Sequence, residues 1–462
     1  MAQIQSGATA DLATVDPTLK ALYVAVKNTI ETQYNHDDFT IDSFERLRVS
    51  EPRIAFEFNF GSQLCSGATT VWESTAVASG TLALTANLYG QDLSSLLTNG
   101  SGYWIQSYNH IKYAPGISTV ARITFNFNEL ITNVRRRVGL FTDQGTFPSN
   151  AGDGLYLEAD GTAVSFVRRY MTTAAVGAEE RITQSNWNLD KLNGTGASGV
   201  TLNWAAAQHL VIEYQWLGVG TIRFGFETGA NGIVWAHEIV SVNALTQSWS
   251  RTGSLPVRAE IINTGVTTQA GKLTLINCVV LQEGDVADFR GWKYFGGNSG
   301  ATGKVGGTAA GLYPVLSLRA ATTNDLTKRT RIIPTSLTIT VAVASTGATS
   351  LQVALLMLPT PNTGASFAVT VGGSLTTIDV AATAATAVTG TAIWNAIIPN
   401  VVGTYTFDLK TMNDNANVIG YNAAGTVAIT GPSVLTLAAG PLTGTATVGA
   451  TIAAAINWKE LG

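Results

Sequence analysis

Charged side chains are scarce in this chain: Asp, Glu, Lys and Arg together make up 13% of its 462 residues, about half the share of an average soluble domain. The few that exist nearly cancel, to a formal charge of -4. Such a balance gives a nucleic acid or an anionic membrane surface no electrostatic hold, and neither is expected as a partner. Cysteine is nearly missing as well. Cys65 and Cys278 lie far apart in the sequence, and two reduced apolar thiols in strands are expected, so the fold has to stand without staples. No apolar run of about eighteen residues occurs, which leaves no candidate for a membrane-spanning helix. The opening MAQIQSGATADLA lacks the basic start and apolar core of a secretion signal, so synthesis in a cytoplasm is expected.

Reactive constellations are missing too. His36, His110, His209 and His237 are scattered, with no HxH or HExxH spacing, and read as ordinary histidines rather than zinc ligands. There is no GxSxG elbow, no P-loop and no dinucleotide-binding glycine fingerprint at a strand-to-helix turn. Carboxylates need a separate test, because two-sheet sandwiches can carry a glycosidase's acid and base on one concave face. The candidates are Glu158, Glu213, Glu227, Glu238 and Glu260. Glu158 has Asp160 two residues on, but the turn at Asp160-Gly161 interrupts the pair, and a polar outward face is the expected role of this group. Asp143, Asn150, Asp153 and Asp160 offer oxygen ligands within LFTDQGTFPSNAGDGLYLEADG. Their spacing matches no EF-hand, and Asx-rich turns explain them without calcium. No catalytic, cofactor-binding or metal-ligating residue is assigned, and the chain reads as no enzyme.

Basic residues cluster at Arg135, Arg136 and Arg137 and again at Lys328, Arg329 and Arg331. In a strand the three consecutive arginines alternate in direction, so at least one must face a neighbour; a solvated or intersubunit ion pair is expected. Trp104, in GSGYWIQSYNH, is a candidate to stack on a sugar ring, with a core or rim position as the competing role.

What the chain does have is β pattern. HLVIEYQWLGVGTIRFGFE, His209 to Glu227, reads as two alternating strands about Leu217-Gly218-Val219-Gly220, with Leu210, Ile212, Tyr214 and Trp216 on one face of the first and Ile222, Phe224 and Phe226 on one face of the second. Segments of this kind recur from Arg53 to Leu281. The expected fold is all-β: a large two-sheet antiparallel jelly-roll-like sandwich over residues 51–290, a Gly-rich linker over 291–310 and a smaller β-sandwich over 311–462. Strands such as TIDVAATAATAVTGTAIW in the last domain are expected to expose weakly protected edges that assembly would bury. Residues 1–50 read as a docking segment. Within it Leu19, Leu22, Tyr23, Val26 and Ile30 share a helical face after Asp16-Pro17, while Leu22 to Val26 also alternates as a strand would. Arg46 and Arg48 in IDSFERLRVSEP fit a solvated strand face, with an intersubunit contact as the alternative.

RRRVGLFTDQ, GDGLYLEADGTAVSFVRR, SNWNLDKLNGTGASGVTL, HLVIEYQWLGVGTIRFGF and LPVRAEIINTG, in that order, resemble a recurrent domain of bacteriophage virion proteins, and IDSFERLRVSEP resembles the segment that often precedes it. The resemblance spans roughly residues 40–285 and is most specific in WNLDKLNGTG and QWLGVG. It implies a structural virion component of the tail or fibre kind, with other virion proteins as partners, and no catalytic residues. A homo-oligomer, with a trimer as the expected symmetry, would bury weak sheet edges. The alternatives are a capsid decoration or head-fibre protein docked through residues 1–50, and a glycan-binding or glycan-cleaving tail module with a pocket among Glu158, Glu213 and Glu227.

Overall fold

A computed structural model describes residues 52–461 except 67–71, 112, 114, 144–146, 148–151, 173–176, 230–231, 284–291, 299–303, 306–310, 321–330, 345–346, 359–368, 371–375, 380–386, 410–433 and 443–449. The docking segment expected over residues 1–50, His36, Arg46 and Arg48 within it, and Asn150, Lys328 and Arg329 lie outside the described residues. No described residue is α-helical; one 3-10 turn, Gln184–Asn186, interrupts the strands.

Fifteen strands build the first two sheets. They are β1 Pro52–Asn59, β2 Trp72–Val77, β3 Thr81–Leu84, β4 Gln91–Ser94 and β5 Gly102–Ile111; then β6 Thr119–Asn126, β7 Val134–Phe141, β8 Gly154–Asp160, β9 Ala163–Met171 and β10 Gly177–Thr183; then β11 Gln208–Tyr214, β12 Ile222–Glu227, β13 Ile233–Ile239, β14 Leu255–Asn263 and β15 Lys272–Glu283. One sheet runs β13-β12-β11-β6-β15-β4-β3, with β1 on the free half of β15; the other runs β10-β9-β8-β7-β14-β5-β2. All pairings are antiparallel. β15 is the long spine: β6 lines one side, while the other is shared by β4 at Lys272–Leu275 and β1 at Asn277–Glu283.

The alternation seen in the sequence fixes which way each strand faces. Leu210, Ile212 and Tyr214 of β11 and Ile222, Phe224 and Phe226 of β12 point into one core with Leu155 and Leu157 of β8 and Val257 and Ala259 of β14. The Phe166 ring of β9 stacks on Phe224 at 4.5 Å, so the two sheets meet face to face there. The hairpin turn closes through Gly220 N–H donating to the Trp216 carbonyl at 2.8 Å, and Gly218 has a φ of 79°, which glycine adopts without strain. Cys65 and Cys278 are both free and buried in this core. Burial pushes the Cys65 thiol up to about 12.

Eleven further strands form two smaller sheets: β16 Trp292–Gly297, β17 Lys304–Val305, β18 Tyr313–Ala320, β19 Arg331–Val343, β20 Ser350–Leu358 and β21 Val369–Thr370; then β22 Thr376–Asp379, β23 Thr391–Pro399, β24 Gly403–Asp408, β25 Val434–Pro441 and β26 Thr451–Leu461. Their orders are β16-β26-β19-β24, with β17 also on β26, and β21-β22-β18-β25-β20-β23. Leu337, Ile339 and Val341 of β19 share a core with Leu435 and Leu437 of β25 and with Trp458. The linker expected over 291–310 needs correcting. Trp292–Gly297 is a strand paired with Ala455–Glu460, because a main-chain ladder tolerates glycine when one face is anchored, here by Tyr294 against Trp458.

Candidate functional site

Glu158, Glu260, Arg137 and Trp104 gather on the face of the β10-β9-β8-β7-β14-β5-β2 sheet that points away from the core. Strand pairing lays them out in rows: Trp104, Glu260, Arg137, Glu158 and Ser165 stand side by side across five strands, and Glu73, Gln106, Arg258, Gly139, Tyr156 and Val167 form the adjacent row. Gly139 is the gap in that second row. A Cβ there would strike the backbone at Leu155 and Tyr156, so glycine lets the chains approach where the large side chains on either side need room.

The centre of the lattice is Arg137. Its Nε donates to Glu158 Oε2 at 2.7 Å, Nη1 to Glu260 Oε1 at 3.2 Å and Nη2 to Glu179 Oε1 at 3.3 Å, with all four side chains buried. Arg181 closes one flank, donating from Nε to Glu158 Oε1 at 2.7 Å and contacting Glu179 Oε2. Tyr156 donates its hydroxyl to Glu179 Oε1 at 2.7 Å. Arg258 closes the other flank: Nε donates to Glu260 Oε2 at 3.1 Å, Nη1 to Gln106 Oε1 at 3.0 Å and Nη2 to Asp143 Oδ2 at 3.4 Å, while its guanidinium lies 4.4 Å from the Trp104 ring centroid. Gln106 then passes the chain on, donating to Glu73 Oε1 at 3.1 Å.

These neighbours set the charge states. Burial alone would raise Glu158, but Arg137 and Arg181 outweigh it and hold the carboxyl below its usual range. The same contest at Glu260, burial against Arg258 and Arg137, also ends below that range. Glu73 goes the other way. Burial, opposed only by Arg258, pushes it up to about 8, so it carries its proton at neutral pH. A lattice of ionised Glu158 and Glu260 bound to guanidiniums, with one protonated carboxyl at its rim, is therefore close to neutral as a whole.

Glycoside hydrolysis needs one carboxyl that gives up a proton and another that attacks or activates water, both in reach of a sugar. Glu158 and Glu260 engage guanidiniums through both oxygens and are buried. The pocket expected among Glu158, Glu213 and Glu227 is not assembled. Glu158 stands on one sheet and the other two on the outward side of its partner sheet, with the core between them. Glu213 is buried and accepts from Ser118 Oγ at 2.8 Å; Glu227 faces His209 at 3.2 Å and Arg122 at 3.7 Å; Glu238 accepts from Arg223 Nε at 2.6 Å. The polar outward face expected of these carboxylates is thus a set of ion pairs and hydrogen bonds within the chain.

Two more expectations change. Arg135 to Arg137 do alternate, but Arg137 is neither solvated nor intersubunit, and Arg136 turns inward, donating to the carbonyls of Lys272 at 2.8 Å and Glu129 at 2.9 Å. Trp104 is buried against Phe147 and Ile262 under Arg258, so it packs as a structural residue on the sheet's outer face and is not open to a sugar. Among the proposed oxygen ligands, Asp153 binds Arg251 at 3.0 Å and Asp143 faces Arg258, while Asp160 is exposed at the end of β8. Sequence reasoning missed Glu73, Glu179 and Gln106. Their signal was present in β10, β2 and β5 as polar residues among the strand's alternating positions, but only the pairing of strands brings them to Arg137 and Arg258.

WNLDKLNGTG has a structural job. Trp187 stacks on Phe166 at 4.3 Å. Asn188 runs along the outer edge of β13, its side-chain oxygen accepting from Glu238 N–H and its amide donating to the Glu238 carbonyl, both at 2.9 Å. The N–H groups of Leu189 and Asp190 both donate to the Ala236 carbonyl at 3.1 Å, and Asn188 N–H donates to His237 Nδ1 at 3.2 Å. Asp190 then folds the rest of the loop, accepting Leu192 N–H and Ser198 N–H at 2.8 Å each. The motif is a plug on a sheet edge.

No family model matches the chain, and no curated protein matches it. Solved structures with a similar course of chain exist. The carbohydrate recognition domain of Emp47p is similar at 8% identity and a TM-score of 0.32, over 51% of this chain and 98% of that one. A GH16 protein of a Bacteroides ovatus mixed-linkage glucan locus is similar at 11% and 0.32, over 49% and 100%. The CBM2 module of the evolved Dit of Lactobacillus casei BL23 phage J-1 is similar at 12% and 0.33, over 52% and 99%. The chain is an all-β protein with two large antiparallel sheets and two smaller ones.

Proposed function

We propose that this chain is a non-enzymatic structural component of a bacteriophage virion, a tail-associated fibre, spike or adaptor that assembles from several copies and presents its β domains outward. The observation that carries the reading is how the segments resembling virion proteins are used. RRRVGLF and GLYLEAD supply Arg137 and Glu158 to a self-neutralising lattice, WNLDKLNGTG plugs the edge of β13, and the β11–β12 hairpin fills the core. Each is consumed in rigidity, which suits a module that has to survive outside a cell and does not suit a site that must exchange protons with a substrate. Docking on the capsid through residues 1–50 is the alternative place on the particle. Binding of a host-surface glycan is the alternative task; the Trp104 ring raised for it is occupied by Arg258, so a sugar would have to be held elsewhere.

Gold-labelled antibody against the purified chain, applied to intact particles, tests the reading. Label on the tail is expected; label over the capsid facets moves the protein to the head, and particles that never bind the antibody overturn the virion assignment. Incubation with host polysaccharide tests the enzymatic side. Shortening of the glycan that disappears in Glu73→Gln or Glu158→Gln would refute the non-enzymatic reading.

A further inference from the structure

The two sandwiches treat their outer strands differently. In the first, most outer strands carry a device that discourages pairing with another chain. β13 is plugged by Asn188 to Asp190. β10 carries Glu179, Glu180 and Arg181, with Glu180 held by Arg168 at 2.7 Å. β3 has only four residues, and β1 begins with Pro52-Arg53 and includes Glu57.

In the second sandwich one sheet ends at β16 and β24 and the other at β21 and β23; β23 and β24 are the pair that lie together. Neither strand pairs on its outer side among the described residues. Their sequences, TAIWNAIIP and GTYTFD, hold a single charge, Asp408, no lysine, and a proline only at the last position of β23. The two ends lie together. Trp394 of β23 meets Phe407 of β24 edge-on at 4.8 Å across the sandwich, and these rings, with Ile393 and Tyr405, are only partly buried. Around them Ile397 is 62% exposed, Val401 54% and Val402 70%.

We propose that this side, β23 and β24 with the Asn400–Val402 turn between them, is where a second copy of the chain docks, extending both sheets and covering the Trp394–Phe407 end of the core. The inference deepens the proposed assembly role and rests on it only in holding that copies meet. A second copy is the occupant because the surface selects by neutrality. Apart from Asp408 at the end of β24 it offers no charge to attract a charged partner or to repel itself, and an edge's alternating N–H and C=O groups are complementary to those of an identical edge. Most edges of the first sandwich are guarded by a plug, by charge or by shortness, whereas among the described residues β23 and β24 carry none of these.

Sedimentation velocity of the full chain tests it. The wild type is expected at a multiple of 48.4 kDa, with Ile397→Lys and Val402→Lys each weakening association by at least about tenfold, since a lysine facing its copy must be desolvated beside a like charge. Val266→Lys, at a comparably exposed apolar residue of the first sandwich, is the control expected to keep the wild-type mass, and circular dichroism reports that each variant is folded. A wild type that sediments as one copy, folded Ile397→Lys and Val402→Lys chains with the wild-type mass, or dissociation by Val266→Lys to the same extent, each overturns the proposal. The measurement uses purified protein, so it can fail while the virion labelling succeeds, and the reverse.

Discussion

Replacing Arg137 by methionine tests whether the charge lattice is a structural element. The substitution keeps length and apolar bulk but leaves Glu158, Glu179 and Glu260, now within 3.3 Å of the vacated guanidinium positions, facing one another in a buried space. Removing one partner of a buried ion pair costs about 3–5 kcal/mol. Arg181 and Arg258 remain on the flanks and limit the loss, so about 4 kcal/mol is expected at pH 7. With a urea slope of about 3 kcal/mol per molar, the midpoint of the transition reported by tryptophan fluorescence should fall by about 1.3 M. The sign with pH is the sharper test. In the wild type Glu158 and Glu260 are held below the usual carboxylate range, so their contribution is present above the ordinary carboxyl value of 4.5 and is lost as pH falls through the depressed ones. In Arg137→Met the same carboxyls become hard to ionise, and protonation on acidification relieves them. The gap between variant and wild type should therefore narrow from pH 7 to pH 5. A midpoint change under about 0.3 M, or a gap that widens on acidification, would refute the claim that the lattice is held by Arg137.

Other consequences are cheaper to check. Glu73, pushed up to about 8, contributes stability that is fully present below 4.5 and lost as pH rises through 8; Glu73→Gln, which still accepts from Gln106, should come close to the wild type near pH 5 and exceed it by about 4 kcal/mol at pH 9, and equal melting curves at both pH values would count against it. Asn188→Ala should cost about 2 kcal/mol by removing two hydrogen bonds from the β13 edge, with faster amide exchange at Glu238 as the local readout. His237 is held below its ordinary value by burial, so its contribution is present above about 6.5 and lost as pH falls toward the depressed value; His237→Gln should flatten that part of the stability profile, and an unchanged profile would remove His237 from the account. Trp187→Phe keeps a ring against Phe166 and should cost less than Trp187→Ala, for which about 3–5 kcal/mol is expected by calorimetry.

How much of this was legible in the sequence depends on which kind of neighbour a residue has. The β11–β12 hairpin was legible because its information is local: alternation names the buried face, and a glycine-containing turn of fixed length names the register. The lattice was not, because the same alternation tells only that Arg137 and Glu260 face away from the core. They are 123 residues apart, and β14 had to be placed beside β7 before they could meet. A usable warning does exist in LPVRAEIIN, whose nine residues are all buried: Arg258 and Glu260 share one face of a strand with no solvent on either side, which forces a partner for each. The Gly-rich stretch misled for the opposite reason. Composition measures side chains, whereas β16 is held by main-chain pairing to β26, to which glycine contributes as well as any residue.

The same distinction separates what guards an edge from what leaves it open. A charged edge such as β10 announces itself in sequence, since Glu-Glu-Arg on a short strand can be read directly. The plug on β13 cannot be read that way, because Asn188 lies some fifty residues from Glu238 and nothing local marks it as an edge cap rather than a loop. Bare edges are harder still, being defined by the absence of both devices at once. That is why TIDVAATAATAVTGTAIW pointed to weak edges without saying which strand ends a sheet: of that stretch, the structure places Thr391 to Trp394 in β23, at the end of one sheet, and Thr377 to Asp379 in β22, inside it. Among the described residues β23 is the one without an outer neighbour, and the lysine substitutions at Ile397 and Val402 act on its side of the molecule.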